Sequence, residues 1–131
     1  MSEPRWISKK ALLLLHEESL AEFGGARGLR DEGLLDSALA RPRNKYTYES
    51  EHRISILAAT YCYGIIKNHA FVDGNKRAGF LSIGLFLFAN GRQLTALPID
   101  AIRTIMSVAS GTLNEDELAG WIEENTITIK R

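Results

Sequence analysis

Apolar residues recur along most of this chain at spacings of three and four, the period that gathers them on one face of a helix. From Glu51 onward, Ile54, Leu57, Ala58, Tyr61 and Ile65 stand at i, i+3, i+4, i+7 and i+11, which predicts a helix running to about His69. Upstream, Ser8 reads as the N-cap of a first helix that ends near Phe23, with Gly24 as its stop. Asp31 can cap a second, short helix carrying Leu34, Leu35, Ala38 and Leu39, which is expected to end before Pro42. From about Gly74 to Asn90 the chain is apolar on nearly every side, so this fourth helix is expected to be central and buried, with Gly91 ending it. Pro98 suits the start of a fifth helix, and Asn114 with Glu117 forms a capping box for a sixth. No alternating strand pattern stands out, although residues 91–97 can extend locally. The expectation is an all-α fold of about six helices in one compact domain over residues 1–131, without repeats or linker.

Composition narrows the function classes. The chain has 131 residues, with 16 Lys and Arg against 16 Asp and Glu. Such a balance lacks the basic excess of a general nucleic-acid binder. Cys62 stands alone, which excludes an intrachain disulfide and fits a reducing compartment. Its place among Tyr61, Tyr63 and Ile65 suggests a packed thiol rather than a nucleophile. The apolar run after Lys9-Lys10 stops after five residues at His16, too short for a signal peptide, and residues 78–89 are too few to span a bilayer. A cytoplasmic protein without membrane or direct nucleic-acid partners is expected.

The chemistry concentrates in His69-Ala70-Phe71-Val72-Asp73-Gly74-Asn75-Lys76-Arg77, directly ahead of the fourth helix. A helix N-terminus offers free backbone N–H groups and the positive end of the dipole, a setting for phosphate. Gly74 lacks a Cβ and allows close backbone approach. Asn75 can offer an amide donor to a phosphate or cap the helix it opens. Lys76 is a flexible point charge, and Arg77 a planar fork for two oxygens. Asp73 is a hard oxygen ligand of the kind Mg²⁺ takes together with waters and phosphates. His69 supplies an imidazole, the side chain most often used as a general base. Phe71 is expected to point inward and fix the loop. Taken singly, each residue also fits turn, cap or surface roles; their joint occurrence points to a nucleotide-using transferase.

The seven fixed positions of His69-x-Phe71-x-Asp73-Gly74-Asn75-Lys76-Arg77 resemble the signature of the Fic/Doc superfamily, specifically its death-on-curing (Doc) toxin branch. Gly24-Gly25, Gly28-Leu29-Arg30-Asp31, Gly33-Leu34-Leu35 and the Ser37–Pro42 stretch resemble the segment preceding the active site in that branch, and the helical tail after Pro98 is similar too. The wider Fic motif has a second glycine where Lys76 stands and a final arginine where Phe80 stands. Those departures are those of the Doc branch. The resemblance implies transfer of phosphate from Mg-ATP to a protein hydroxyl, with elongation factor Tu as acceptor, arrested translation, and a separate antitoxin as restraint. His69 would then be the base, Asp73 the Mg²⁺ ligand, and Gly74, Asn75, Lys76 and Arg77 the phosphate-holding set. AMP transfer, the broader Fic chemistry, and a catalytically silent antitoxin-binding module are the rival readings. The inhibitory Ser/Thr-x-x-x-Glu-Gly/Asn pattern of many Fic proteins has no full match, since Thr47 to Glu51 is followed by His52.

The remaining candidates are weaker. Residues 24–28 are glycine-rich but lack the Lys-Ser/Thr of a P-loop, and read as a helix stop and tight connection. Arg41, Arg43, Lys45, Tyr46 and Tyr48 read as a basic, aromatic loop, either simply solvated or, as the resemblance implies, lining a groove for the target protein, with a nucleic-acid contact as a third reading. His16 and His52 are expected to lie far from the motif, and no His/Cys spacing suggests zinc.

Overall fold

Ser8 does open the first helix. In the computed structural model, which describes residues 2–129, its side chain accepts a hydrogen bond from the Ala11 N–H at 3.2 Å. Helix α1 spans Lys9–Phe23, and Gly24, at a φ of 91°, ends it by donating its N–H to the Leu20 carbonyl. Helices α2 (Glu32–Glu49), α3 (Ile54–Asn68), α4 (Asn75–Ala89), α5 (Pro98–Ser110) and α6 (Glu115–Glu124) follow. Asp31 caps α2 through Leu34, and Asn114 and Glu117 form the reciprocal capping box of α6. The all-α expectation holds for the described residues, with one addition. Arg92–Leu94 (β1) pairs antiparallel with Thr126–Thr128 (β2), joining the end of α4 to the end of α6.

Two expectations are corrected by packing. Helix α2 does not stop before Pro42 but carries it internally as far as Glu49. A proline inside a helix costs about 3 kcal/mol through a lost hydrogen bond and a ring clash. Here Leu35, Ala38 and Pro42 are buried together on one face. Helix α3 also approaches closely, since a Cβ at Gly64 would sit 3.4 Å from that of Ala38. On either side of the proline, Arg41 and Lys45 reach Glu115 at the start of α6, at 2.9 and 3.4 Å. Burial and these ion pairs offset the proline.

The second correction concerns the most enclosed helix. It is α3, packed between α2, α4 and α6, with ten of its fifteen residues buried. Helix α4 buries Ala78, Gly79, Ser82, Ile83, Phe86 and Leu87, yet leaves Phe80 and Phe88 exposed on its other face. Gly79 makes the α3–α4 contact close: a Cβ there would lie 2.7 Å from Ile66 Cγ1. The two helices meet as a pair joined only by residues 69–74, so the motif loop sits on a rigid base.

Candidate active site

The loop between α3 and α4 is built by backbone bonds from an unexpected partner, residues 24–31. Arg30 and Asp31 donate their N–H groups to the Ala70 carbonyl at 2.7 and 3.0 Å, and the Val72 N–H donates to the Gly28 carbonyl at 3.0 Å. Leu29 and Phe71 face each other across this short antiparallel bridge. The Arg30 guanidinium adds bonds to the carbonyls of Asn68 and His69, at 3.2 and 2.9 Å, placing a cation at the C-terminus of α3 where the dipole favours one. The glycine-rich stretch is thus more than a helix stop. It is a strap along the motif.

Within the loop each side chain has a distinct position. His69 is the C-cap of α3, in the left-handed conformation at φ 51°, ψ 49°, with its side chain exposed. Phe71 is fully buried as expected and anchors the loop in the core, a burial that contributes about 1.5–3 kcal/mol. Asn75 is buried and bonded to Phe71 on both sides: its Oδ1 accepts from the Phe71 N–H and its Nδ2 donates to the Phe71 carbonyl, each at 3.0 Å. Its amide is therefore not the helix cap: Oδ1 and one of the two Nδ2 hydrogens hold the tight turn after Phe71. The N-cap is Gly74, at φ 73°, and no side chain caps the helix.

Asp73 is exposed but constrained. Its Oδ2 accepts from the Ala26 N–H at 3.2 Å and its Oδ1 from the Gly74 N–H at 2.8 Å. These two donors outweigh an opposing desolvation and, with a weaker contribution from the charge of Arg77, hold its carboxyl below the ordinary range. Asp73 is thus an ionised carboxylate at neutral pH. Arg77 turns toward the end of α1, where it donates to the carbonyls of Ser19 and Gly24 at 3.3 and 3.4 Å and lies over the Phe23 ring. Lys76 is exposed at the second position of α4.

His69, Asp73, Gly74, Asn75, Lys76 and Arg77 all border one open cleft of about 1340 Å³, whose opposite wall is Ala101, Ile102, Ile105 and Met106 of α5. Among the described residues no group of three or more His, Cys, Asp or Glu side chains could hold a metal ion. A single ionised carboxylate beside an uncapped helix N-terminus fits Mg²⁺ carried by a nucleotide, whose phosphates and waters would complete the coordination.

Two other expectations are corrected. His16 is not remote: it is buried under the loop, its Nε2 2.8 Å from the Asp73 carbonyl and its ring stacked on Phe71 at 3.8 Å. Its i+4 spacing from Leu12 on the buried face of α1 was the available signal. The basic, aromatic stretch Arg41 to Tyr48 is helical and does not border the cleft. Arg43 lies over Trp6, and Tyr46 meets Trp6 and His52 edge-on. Cys62 is wholly buried, and burial pushes its thiol far up. Among the described residues no helix is long and apolar enough to cross a membrane.

The Fic/DOC family model matches residues 6–87, a span that runs from Trp6 through most of α4. Toxin Doc of Mycolicibacterium smegmatis is 39% identical over 100 residues, covering 74% of this chain and 77% of its own length. Protein kinase doc of Escherichia phage P1 is 31% identical over 115 residues, covering 88% of this chain and 90% of its own.

Proposed function

The chain belongs to the Fic/DOC family, and on that premise we propose that it is the toxin of a toxin–antitoxin pair, transferring the γ-phosphoryl group of ATP to a protein hydroxyl. The observation that carries this reading is the uncapped N-terminus of α4, with Asp73 and His69 beside it in one cleft. The N–H groups of Asn75, Lys76 and Arg77 fall in the first turn, where the helix itself supplies no acceptor. Phosphate oxygens satisfy them and meet the positive end of the dipole. Lys76 and Arg77 add charge for the phosphate chain.

The acceptor hydroxyl oxygen attacks the γ-phosphorus, and the bond from that phosphorus to the β,γ-bridging oxygen breaks. ADP leaves with the electron pair, and the hydroxyl proton passes to a ring nitrogen of His69. A base of this kind contributes about 10²–10⁴-fold in rate. Asp73 would hold Mg²⁺, which would supply charge neutralisation for the transferred group. Lys76 and Phe80, in place of the glycine and arginine of the wider Fic motif, favour phosphate over AMP as the group transferred. The kinase name of the phage relative points the same way.

By the same resemblance the acceptor is elongation factor Tu in the cytoplasm, and its modification arrests translation. A separate antitoxin restrains the enzyme. The exposed apolar stripe Ile99, Ile102 and Met106 on α5, continuous with the cleft wall, suits an amphipathic antitoxin segment that folds on binding. Inducible expression tests the toxin reading. The wild-type chain should stop growth, His69→Ala should not, and equal growth of both strains contradicts it.

A further inference from the structure

We propose that His16 is a positioning residue of this site: its Nε2–H fixes the peptide between Asp73 and Gly74, and through that peptide both the Asp73 carboxylate and the N-terminus of α4. The functional consequence rests on the phosphotransfer reading above, whereas the structural part does not.

His16 lies 57 residues before Asp73 yet approaches its carbonyl oxygen to 2.8 Å. A carbonyl oxygen only accepts, so Nε2 carries the proton. The ring cannot drift, because it is buried and lies nearly flat on Phe71, with centroids 3.8 Å apart and planes 25° apart. Gly74 lies directly against it: a Cβ on Gly74 would sit 3.0 Å from the same Nε2.

The held peptide has two ends. All peptide bonds among the described residues are trans, so its carbonyl and its N–H point to opposite sides. The carbonyl faces His16, and the N–H, that of Gly74, donates to Asp73 Oδ1 at 2.8 Å. Turning this plane would break both bonds together. It would also change the positive φ of Gly74, which sets the direction of the N–H groups at Asn75, Lys76 and Arg77. Helix α1 makes a second attachment past the glycine, through Arg77 on the carbonyls of Ser19 and Gly24. The anion-binding turn is thereby clamped to α1 on both sides. A purely space-filling residue between Leu20 and Phe71 would need no donor directed at a loop carbonyl.

The test compares wild-type protein with His16→Phe, which keeps the stacked ring without the donor, and His16→Gln, whose amide can return a donor near the Nε2 position. In the wild type, nitrogen-15 NMR of the imidazole should show the Nε2–H tautomer; a Nδ1–H tautomer overturns the proposal without any variant. In His16→Phe the Gly74 amide should exchange with solvent at least about 10-fold faster. Transfer per folded molecule should fall about 10–100-fold, with a higher Mg²⁺ concentration at half-maximal rate, as for other residues that orient a ligand from behind. His16→Gln should recover most of both. A Gly74 amide as protected in His16→Phe as in wild type overturns the proposal. If wild type transfers nothing while the Gly74 amide loosens as described, the positioning role stands and the phosphotransfer reading falls. Should His16→Phe not fold, the wild-type tautomer and the Gly74 amide in His16→Gln decide.

Discussion

Replacing Gly74 by alanine should damage the protein more than any other glycine-to-alanine change at a comparable backbone angle. An L-residue in the left-handed conformation costs about 1–2 kcal/mol, and Gly74 sits there at φ 73°. The added methyl would lie 3.0 Å from His16 Nε2 and 3.2 Å from Leu20 Cδ2. His16 cannot give way, since it is stacked on Phe71 and bonded to Asp73. Overpacking of this kind costs about 1–3 kcal/mol. The sum is roughly 2–5 kcal/mol. With an unfolding entropy near 2.1 cal/mol/K per residue, each kcal/mol shifts Tm of this chain by roughly 3–4 °C, so a fall of roughly 7–18 °C follows. Gly91 supplies the control, because its φ is 75° and nothing lies within 4 Å of an added Cβ. Gly91→Ala should therefore show the backbone cost alone, a fall of roughly 4–7 °C. Thermal melts followed by circular dichroism measure both. Equal falls for the two variants would refute the claim that Gly74 is wedged against His16.

His69 adopts φ 51° without being glycine, so His69→Gly should relieve strain and raise Tm by roughly 4–7 °C. The same variant should lose about 10²–10⁴-fold in transfer rate; a lowered Tm with activity retained would show that the position serves the fold and not the reaction. Glu115 gives a pH prediction. Burial pushes its carboxyl up, but hydrogen bonds from Arg41 and Thr60 and the charges of Arg41 and Lys45 outweigh this and leave it below the ordinary range. Its contribution is therefore fully present above the ordinary carboxylate pKa and is lost as pH falls through the depressed folded value. Glu115→Gln should cost about 1–2 kcal/mol at pH 7, allowing for the partial exposure of its partners. That gap should close in strongly acidic melts, and a gap independent of pH would contradict the ionic account.

The parts of this fold that were legible in the sequence were those set by local chemistry. Ser8, Asp31, Gly24, Pro98 and the Asn114–Glu117 box each act within one turn, and each does what its residue type dictates. The length of α2 was hidden, because the residues that offset Pro42 lie on α3 and at Glu115, far along the chain. The strands β1 and β2, three residues each, are too short to show an alternation. The motif announced the cleft, but not how its side chains divide the work. Asn75 turns its amide back onto Phe71, and Arg77 reaches the end of α1. Neither direction is set by residue type. His16 was missed for the same reason: its partner, a backbone carbonyl, leaves no mark in a sequence.

The central claim is that the α4 N-terminus, Asp73 and His69 together move a phosphoryl group. It is tested most directly by incubating the protein with Mg-ATP and elongation factor Tu and weighing the acceptor intact, with His69→Ala run alongside. The account predicts a gain of one phosphoryl group with wild-type protein and none with the variant. A gain of one AMP would place the chain with the broader Fic chemistry instead. An unmodified acceptor, or one modified equally by His69→Ala, would contradict the account.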